Sequence, residues 1–315
     1  MKLRLPSVLV ASLALLALPA CTTVQETGRS QVMLMSPAEE AALGVQAFAQ
    51  IKKQEKISTD PALNARIQNI GRRVAAAVGR ELPDAKWEFV VFESEQINAF
   101  ALPGGKVGFY TGLINLAAND DEIAIVMGHE VAHVTSRHGA ERQSQAMLIG
   151  LGGVALGVGA RNDKNADYYL LAYGITTTLG SLKYSRDHET EADVVGLRFA
   201  AKAGYDPRAA AAFWRKMAAK ESGGRPPVFL STHPSSQDRI ANLERLAPGL
   251  MPVYEQAKAN LALGGAPART VAPATTTVAP SNASTSQTGR TTAPATRGGA
   301  PAATEKAELD RFLGR

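Results

Sequence analysis

The chain has 315 residues, 45% of them hydrophobic, enough for a sizeable core in one large domain or two small ones. Its formal charge of +5 is spread along the sequence without a Lys/Arg block, which speaks against nucleic acid as a partner. A single cysteine excludes an internal disulfide.

Residues 1–20 carry Lys2 and Arg4, then an apolar run, and lead through Leu18-Pro19-Ala20 to Cys21. A positive start, a short apolar core and a small residue before a cleavage point predict a secretory signal, too short for an ordinary spanning helix. Cys21 directly after it resembles a bacterial lipobox cysteine, which becomes the lipid-modified first residue of the mature chain. The plainer reading is an ordinary signal followed by an incidental cysteine. Thr22 rather than an aspartate next to it would, by the same resemblance, suit the outer membrane of a double-membraned bacterium. Residues 21–35 read as a linker.

Ser36-Pro37-Ala38-Glu39 is a capping box with proline at the first helical position, opening a helix to about residue 56. Asp60-Pro61 opens a second, to about residue 78, with Leu63, Ile67, Ile70 and Val74 on one face. Residues 86–92 alternate and are aromatic and β-branched, as in a strand. Residues 98–110 read as a hairpin around Pro103-Gly104-Gly105, confined to a sheet edge where an extended peptide could add as another strand along Asn98, Ala99, Phe100 and Ala101.

Asp120-Asp121-Glu122 starts the next helix, its acids favourable at the positive end of the dipole, and His138-Gly139 reads as its end. Residues 146–160 are apolar and glycine-rich but too short to span a bilayer. They read as buried, with a lid or a segment dipping into a membrane surface as alternatives. Further helices are predicted over 167–182, 187–203, 207–220 and 236–246. Residues 258–304 are an Ala/Pro/Thr-rich tail, with almost no large apolar side chain after Gly264, and should be disordered. Residues 305–315 could form a short helix. The folded body is then 36–257, an α+β domain, mostly helical with one small sheet.

Within that body, His129-Glu130-Val131-Ala132-His133 places two imidazoles one turn apart, about 40° round the same helix face, where both reach one ion. Glu130 would face the ion's open side and take a proton from water there. This is the H-E-x-x-H arrangement of zinc peptidases. A catalytic zinc needs a third protein ligand. Glu189 and Asp193 share a helical face, whereas Glu191 lies about 200° round from Glu189, so Glu189 is the ligand chosen. Asp193 then holds a ligand histidine by its other nitrogen. His138 lies half a turn off the ligand face and reads as a helix-end residue; His188 is a weaker alternative ligand. His233, before Pro234, can approach the zinc's fourth position or a substrate. Arg239 could pair with Asp193 or stabilise an oxyanion.

The order of these segments, with Ser185-Arg186 and Ala203-Gly204-Tyr205-Asp206-Pro207, resembles the zinc peptidases of the CAAX prenyl protease and HtpX type. It looks most like their periplasmic lipoprotein branch, which is BepA/LoiP-like. The resemblance implies a zincin-like (gluzincin) domain whose edge strand flanks the active-site helix. It implies one Zn2+ per chain on His129, His133 and Glu189, and Glu130 as catalytic base. It further implies His233 as a residue that closes the open position. The chain departs from the pattern in having neither spanning helices nor a helical repeat domain after the peptidase. The activity expected is endopeptidase cleavage of unfolded or misassembled envelope proteins at the periplasmic face of the outer membrane, with Cys21 as the membrane anchor. A latent peptidase acting mainly as an assembly or binding factor is the rival.

Overall fold

A computed structural model describes residues 21–221 and 227–263 of the chain. The expected signal segment 1–20, the expected tail beyond 263 and the possible helix 305–315 lie outside the described residues. Residues 21–35, read as a linker, instead begin with an antiparallel hairpin, β1 (Cys21–Thr23) on β2 (Ser30–Val32), which packs on helix α5 below.

Helix α1 (Pro37–Gln54) starts at the predicted capping box, with Ser36 Oγ accepting from Glu39 N and the Glu39 carboxylate accepting from Ser36 N. Helix α2 (Pro61–Val78) is capped by Asp60 and buries Ile67, Ile70 and Val74. Strands β3 (Glu88–Phe92), β4 (Ala99–Leu102) and β5 (Lys106–Tyr110) form a sheet in the order β3-β5-β4. β5 pairs parallel with β3 and antiparallel with β4, so β4 is the outer strand of the predicted hairpin. Gly104 and Gly105 take φ of 85° and 78° in its turn, a conformation that costs a side chain dearly. An aromatic cluster of Phe48, Phe92, Phe100 and Tyr110 ties α1 to the sheet.

After a short α3 (Thr111–Leu116), helix α4 (Asp120–Thr135) runs through the centre, buried at every residue from 122 to 134. A helix apolar on all sides is a core helix, and α2, β4 and the later helices pack around it. It ends at Thr135, three residues before the expected stop. The left-handed position is Arg137 (φ 55°) rather than Gly139, and His138 opens helix α5 (His138–Gly159). Arg137 is held there by Glu40 at 2.8 Å and the Met35 carbonyl at 2.7 Å.

Three other expectations are corrected. Segment 146–160 is not buried: it forms the outer part of α5, with Met147, Leu151, Val154 and Val158 all more than 60% exposed. The two helices predicted over 167–182 and 187–203 are one, α6 (Ala166–Lys202), because no proline or paired glycine interrupts it. α7 (Ala209–Glu221) and α8 (Val228–Thr232) then lead to α9 (Gln237–Ala262), which continues past Pro248 and Pro252 and past the boundary placed at 257. Among the described residues no helix is long and apolar enough to cross a membrane.

Candidate metal centre

Helices α4 and α6 lie backbone against backbone. A Cβ on Gly128 would sit 2.4 Å from the Gly196 carbonyl oxygen, and one on Gly196 would sit 2.6 Å from the His129 backbone. That approach, with Ala192 fully buried between them, brings residues 129 and 133 of one helix opposite 189 and 193 of the other. The α8–α9 junction supplies the remaining groups. His233 caps α8, its N–H donating to Phe229 O at 2.9 Å and its ring against Phe229 at 4.5 Å, so it is held in place rather than free on a loop.

Four side chains converge: His129, His133, Glu189 and His233. His129 Nε2 is 3.1 Å from His133 Nε2, 3.3 Å from His233 Nδ1 and 3.3 Å from Glu189 Oε2. His133 Nε2 is 3.3 Å from Glu189 Oε1, and His233 Nδ1 is 3.0 Å from both Glu189 oxygens. Tetrahedral ligands at zinc's usual ~2.0–2.1 Å would stand roughly 3.3 Å from one another, so these spacings fit such an ion. Three imidazoles and a carboxylate are also a donor set that zinc favours. Glu130 Oε1 is buried without a hydrogen-bond partner, 3.4 Å from His233 Nε2.

The charges point the same way. Burial works against protonating His129, but Asp193 and Glu189 outweigh it and push its pKa up to about 9. Burial opposes the charge of Glu189 too, yet His129, His133 and His233 hold it far below the usual carboxylate range. Glu189 and Asp193 thus set negative charge against the rings. Burial raises the Glu130 carboxyl, with His233 and His129 pulling the other way.

Asp193 Oδ1 lies 3.0 Å from His129 Nδ1, the ring nitrogen turned away from the cluster. Arg239 takes the first of its two expected roles. Its Nε and Nη2 both donate to Asp193 at 2.7 Å, and its plane stacks 3.5 Å over Trp214. Its other amino group reaches the Pro234 carbonyl at 3.2 Å and Glu189 at 3.1 Å. These contacts take up four of the five N–H groups of the guanidinium and show the pairing with Asp193. β4 packs on α4, with its outer edge unpaired among the described residues. Asn98 lies just before it and Ala99, Phe100 and Ala101 within it; the Phe100 ring packs in the aromatic cluster with Phe48 and Tyr110. A cavity of about 260 Å³ opens between the end of this strand and His133, lined by Leu43, Ala47, Ala101 and Leu102. Cys21 lies in β1.

Sequence reasoning missed the groups behind His133. His138 does not end α4 but opens α5, fully buried, its Nδ1 2.8 Å from His133 Nδ1 and its Nε2 2.8 Å from Glu191. His188 is not a ligand; it stacks on His138 at 4.2 Å and bonds Glu141 at 2.9 Å. Burial, with His188 and Arg29 nearby, lowers the His138 pKa well below the ordinary 6.5, and burial lowers His133 likewise. The available signal was spacing: residues 188 and 191 share a face of α6 distinct from that of 189 and 193.

Two histidines a turn apart on a buried helix, a glutamate from a second helix and an acid between them define a metallopeptidase centre of the H-E-x-x-H kind. The chain belongs to peptidase family M48, which it matches over residues 61–247, and zinc is the metal this family uses. It is 35% identical to the mitochondrial metalloendopeptidase OMA1 of Schizosaccharomyces pombe over 187 residues, 58% of this chain and 52% of that protein. The OMA1 of Saccharomyces cerevisiae is 33% identical over 249 residues, 72% of this chain and 69% of that one. A putative beta-barrel assembly-enhancing protease of Vibrio cholerae is 34% identical over 214 residues, 65% and 43%. The matched stretch thus spans about half of these relatives' own length. The narrower assignment to a prenyl-protease or HtpX type gives way to the family as a whole.

Proposed function

We propose that the chain is a zinc-dependent endopeptidase of the bacterial cell envelope that hydrolyses peptide bonds within unfolded or misassembled envelope proteins. The observation that carries this reading is Glu130 Oε1, buried without a hydrogen bond among the described residues, 3.4 Å from His233 Nε2 and beside a four-donor cluster. His129, His133 and Glu189 hold the zinc, which supplies a Lewis acid that acidifies water and polarises the scissile carbonyl. Glu130 accepts the proton of the attacking water and delivers it to the departing amine nitrogen. Asp193, fixed by Arg239, keeps His129 turned to the metal. An extended substrate adds to the outer edge of β4, and one of its side chains enters the cavity beside His133.

The envelope assignment is supported by the Vibrio cholerae relative's name and by the signal-like residues before Cys21. Cys21 lipidated at this point would anchor the body to a membrane at the first residue of β1; Cys21→Ser should move the protein from the membrane fraction to the soluble one.

Purified mature protein incubated with casein, with and without a chelator, tests the activity. Glu130→Gln should keep stoichiometric zinc and lose roughly 10²–10⁴-fold in rate, the usual worth of a general base. Casein cleavage at the wild-type rate by the zinc-loaded variant would overturn the assignment. A second reading is supported by His233 Nδ1, which stands within the donor set at 3.0 Å from Glu189: the resting enzyme is latent and acts mainly as a chaperone-like binding factor until His233 leaves.

A further inference from the structure

The polar chain behind His133 does not stop at Glu191. Glu191 accepts from Arg29 Nε at 2.9 Å and from the Thr27 hydroxyl, and Arg29 turns its fork to Glu141 at 2.9 and 2.7 Å. Gln31, with its amide nitrogen turned inward, donates to Glu141 and to the Ser136 carbonyl. Thr27, Arg29, Glu141, His138 and Glu191 are all 9% exposed or less. Thr27 and Arg29 lie in the connection between β1 and β2 of the N-terminal hairpin, outside the stretch 61–247 that matches the family.

The hydrogen-bond directions along this chain are determined by its two ends. His133 turns Nε2 to the donor cluster, so as a neutral ligand it carries its proton on Nδ1. Its partner, His138 Nδ1, must then accept, which puts the His138 proton on Nε2, facing Glu191. Glu191 accepts from His138, Arg29 and Thr27 at once. Reversing any link would set two donors or two lone pairs against each other at 2.8 Å. A carboxylate acting on a ligand histidine is a known way to fix ring orientation and basicity; here it acts through an intervening imidazole. A buried cluster of this kind is poor evidence for a role in stability alone, because apolar residues of similar volume serve that purpose as well.

We infer that the N-terminal segment is a working part of the metal centre: Thr27 and Arg29 are positioning residues that, through Glu191 and His138, fix the tautomer and orientation of His133. The inference rests on His133 being a zinc ligand.

The test uses the full mature chain and reads zinc affinity by competition with a chromophoric chelator, the visible spectrum of the cobalt-loaded protein, and the Tm of the metal-free protein. Arg29→Lys keeps the charge beside Glu141 but loses the Nε–H to Glu191, and Thr27→Val removes the hydroxyl. Both should weaken zinc binding, Arg29→Lys by about tenfold, at the lower end of the 10–100-fold typical of groups that orient metal ligands. The cobalt spectrum should change while the metal-free Tm stays near wild type. His138→Leu should weaken binding further, and His138→Gln, which keeps one acceptor and one donor, should restore part of it. If Arg29→Lys does not fold, Thr27→Val decides the same question at its own position. Wild-type zinc affinity and cobalt spectrum in these variants, with binding lost in a parallel His133→Ala, would overturn the inference and leave the ligand intact. Undiminished zinc binding by His133→Ala would overturn the ligand assignment itself.

Discussion

His233 is the fourth of the converging side chains, and under the proposed reading it would occupy the position that a catalytic metal keeps open. Its ring lies on Phe229 and within 3.4 Å of Glu130, and both the substrate carbonyl and the attacking water need that space. His233→Ala should therefore raise casein cleavage about tenfold or more if latency limits the rate, an effect worth ~1.4 kcal/mol in the barrier. A fall in rate at constant zinc content would instead assign His233 to catalysis. Just past the end of α2, burial, with the Glu26 carboxyl alongside, pushes the Glu81 carboxyl up to about 9 from an ordinary 4.5. The folded state thus holds a proton that the unfolded chain releases. Its contribution to stability is complete below about pH 4.5 and declines as the pH rises toward 9. Glu81→Gln should flatten that decline, giving a higher Tm than wild type at pH 8 and little difference at pH 4 in paired thermal melts.

At the scale of elements, the site depends on how closely α4 and α6 approach. Alanine at 196 would gain about 1 kcal/mol of helix propensity, but its Cβ would meet backbone atoms of residues 128 and 129. Backbone cannot turn aside as a side chain can, so the overpacking cost of about 1–3 kcal/mol or more prevails. Gly196→Ala should lower the midpoint of urea unfolding and weaken zinc binding together, since it shifts Glu189 from His129. The helical faces of this site were legible in the sequence because periodicity alone pairs 129 with 133 and 189 with 193. The capping box at Ser36 and the hairpin at Pro103 were legible for equally local reasons. What was not legible depended on tertiary contacts. Gly139 resembled a helix stop, yet Arg137 took the left-handed position because Glu40 and Met35 hold its side chain. His138 and Glu191 lie off the ligand faces, and Arg29 sits in a segment without periodicity, so nothing in the spacing joined them. The apolar run 146–160 was read as buried on composition, which does not say what a helix packs against.

For the molecule as a whole, the candidate ligands come from three separate segments: α4, α6 and the junction before α9. A metal bound by all three joins the core helix to the chain's later half, and only the folded state presents the donors together. Binding then adds to stability by mass action, about 4 kcal/mol when free zinc is ~1,000 times its dissociation constant. For a body of this size each kcal/mol moves Tm by roughly 2–4 °C, so chelation should lower Tm by about 8–16 °C. The core around α4 is apolar and extensive without the metal, with Ile123, Met127, Phe109, Phe199 and Phe213 fully buried. The metal-free protein should therefore still melt cooperatively rather than behave as an unfolded chain. Calorimetry with and without chelator checks both parts. A Tm unchanged by chelation would mean that the three segments are not bridged by a metal. His233→Ala should retain most of the shift, because three donors remain on α4 and α6; Glu189→Ala should lose most of it, because the bridge between those helices is gone.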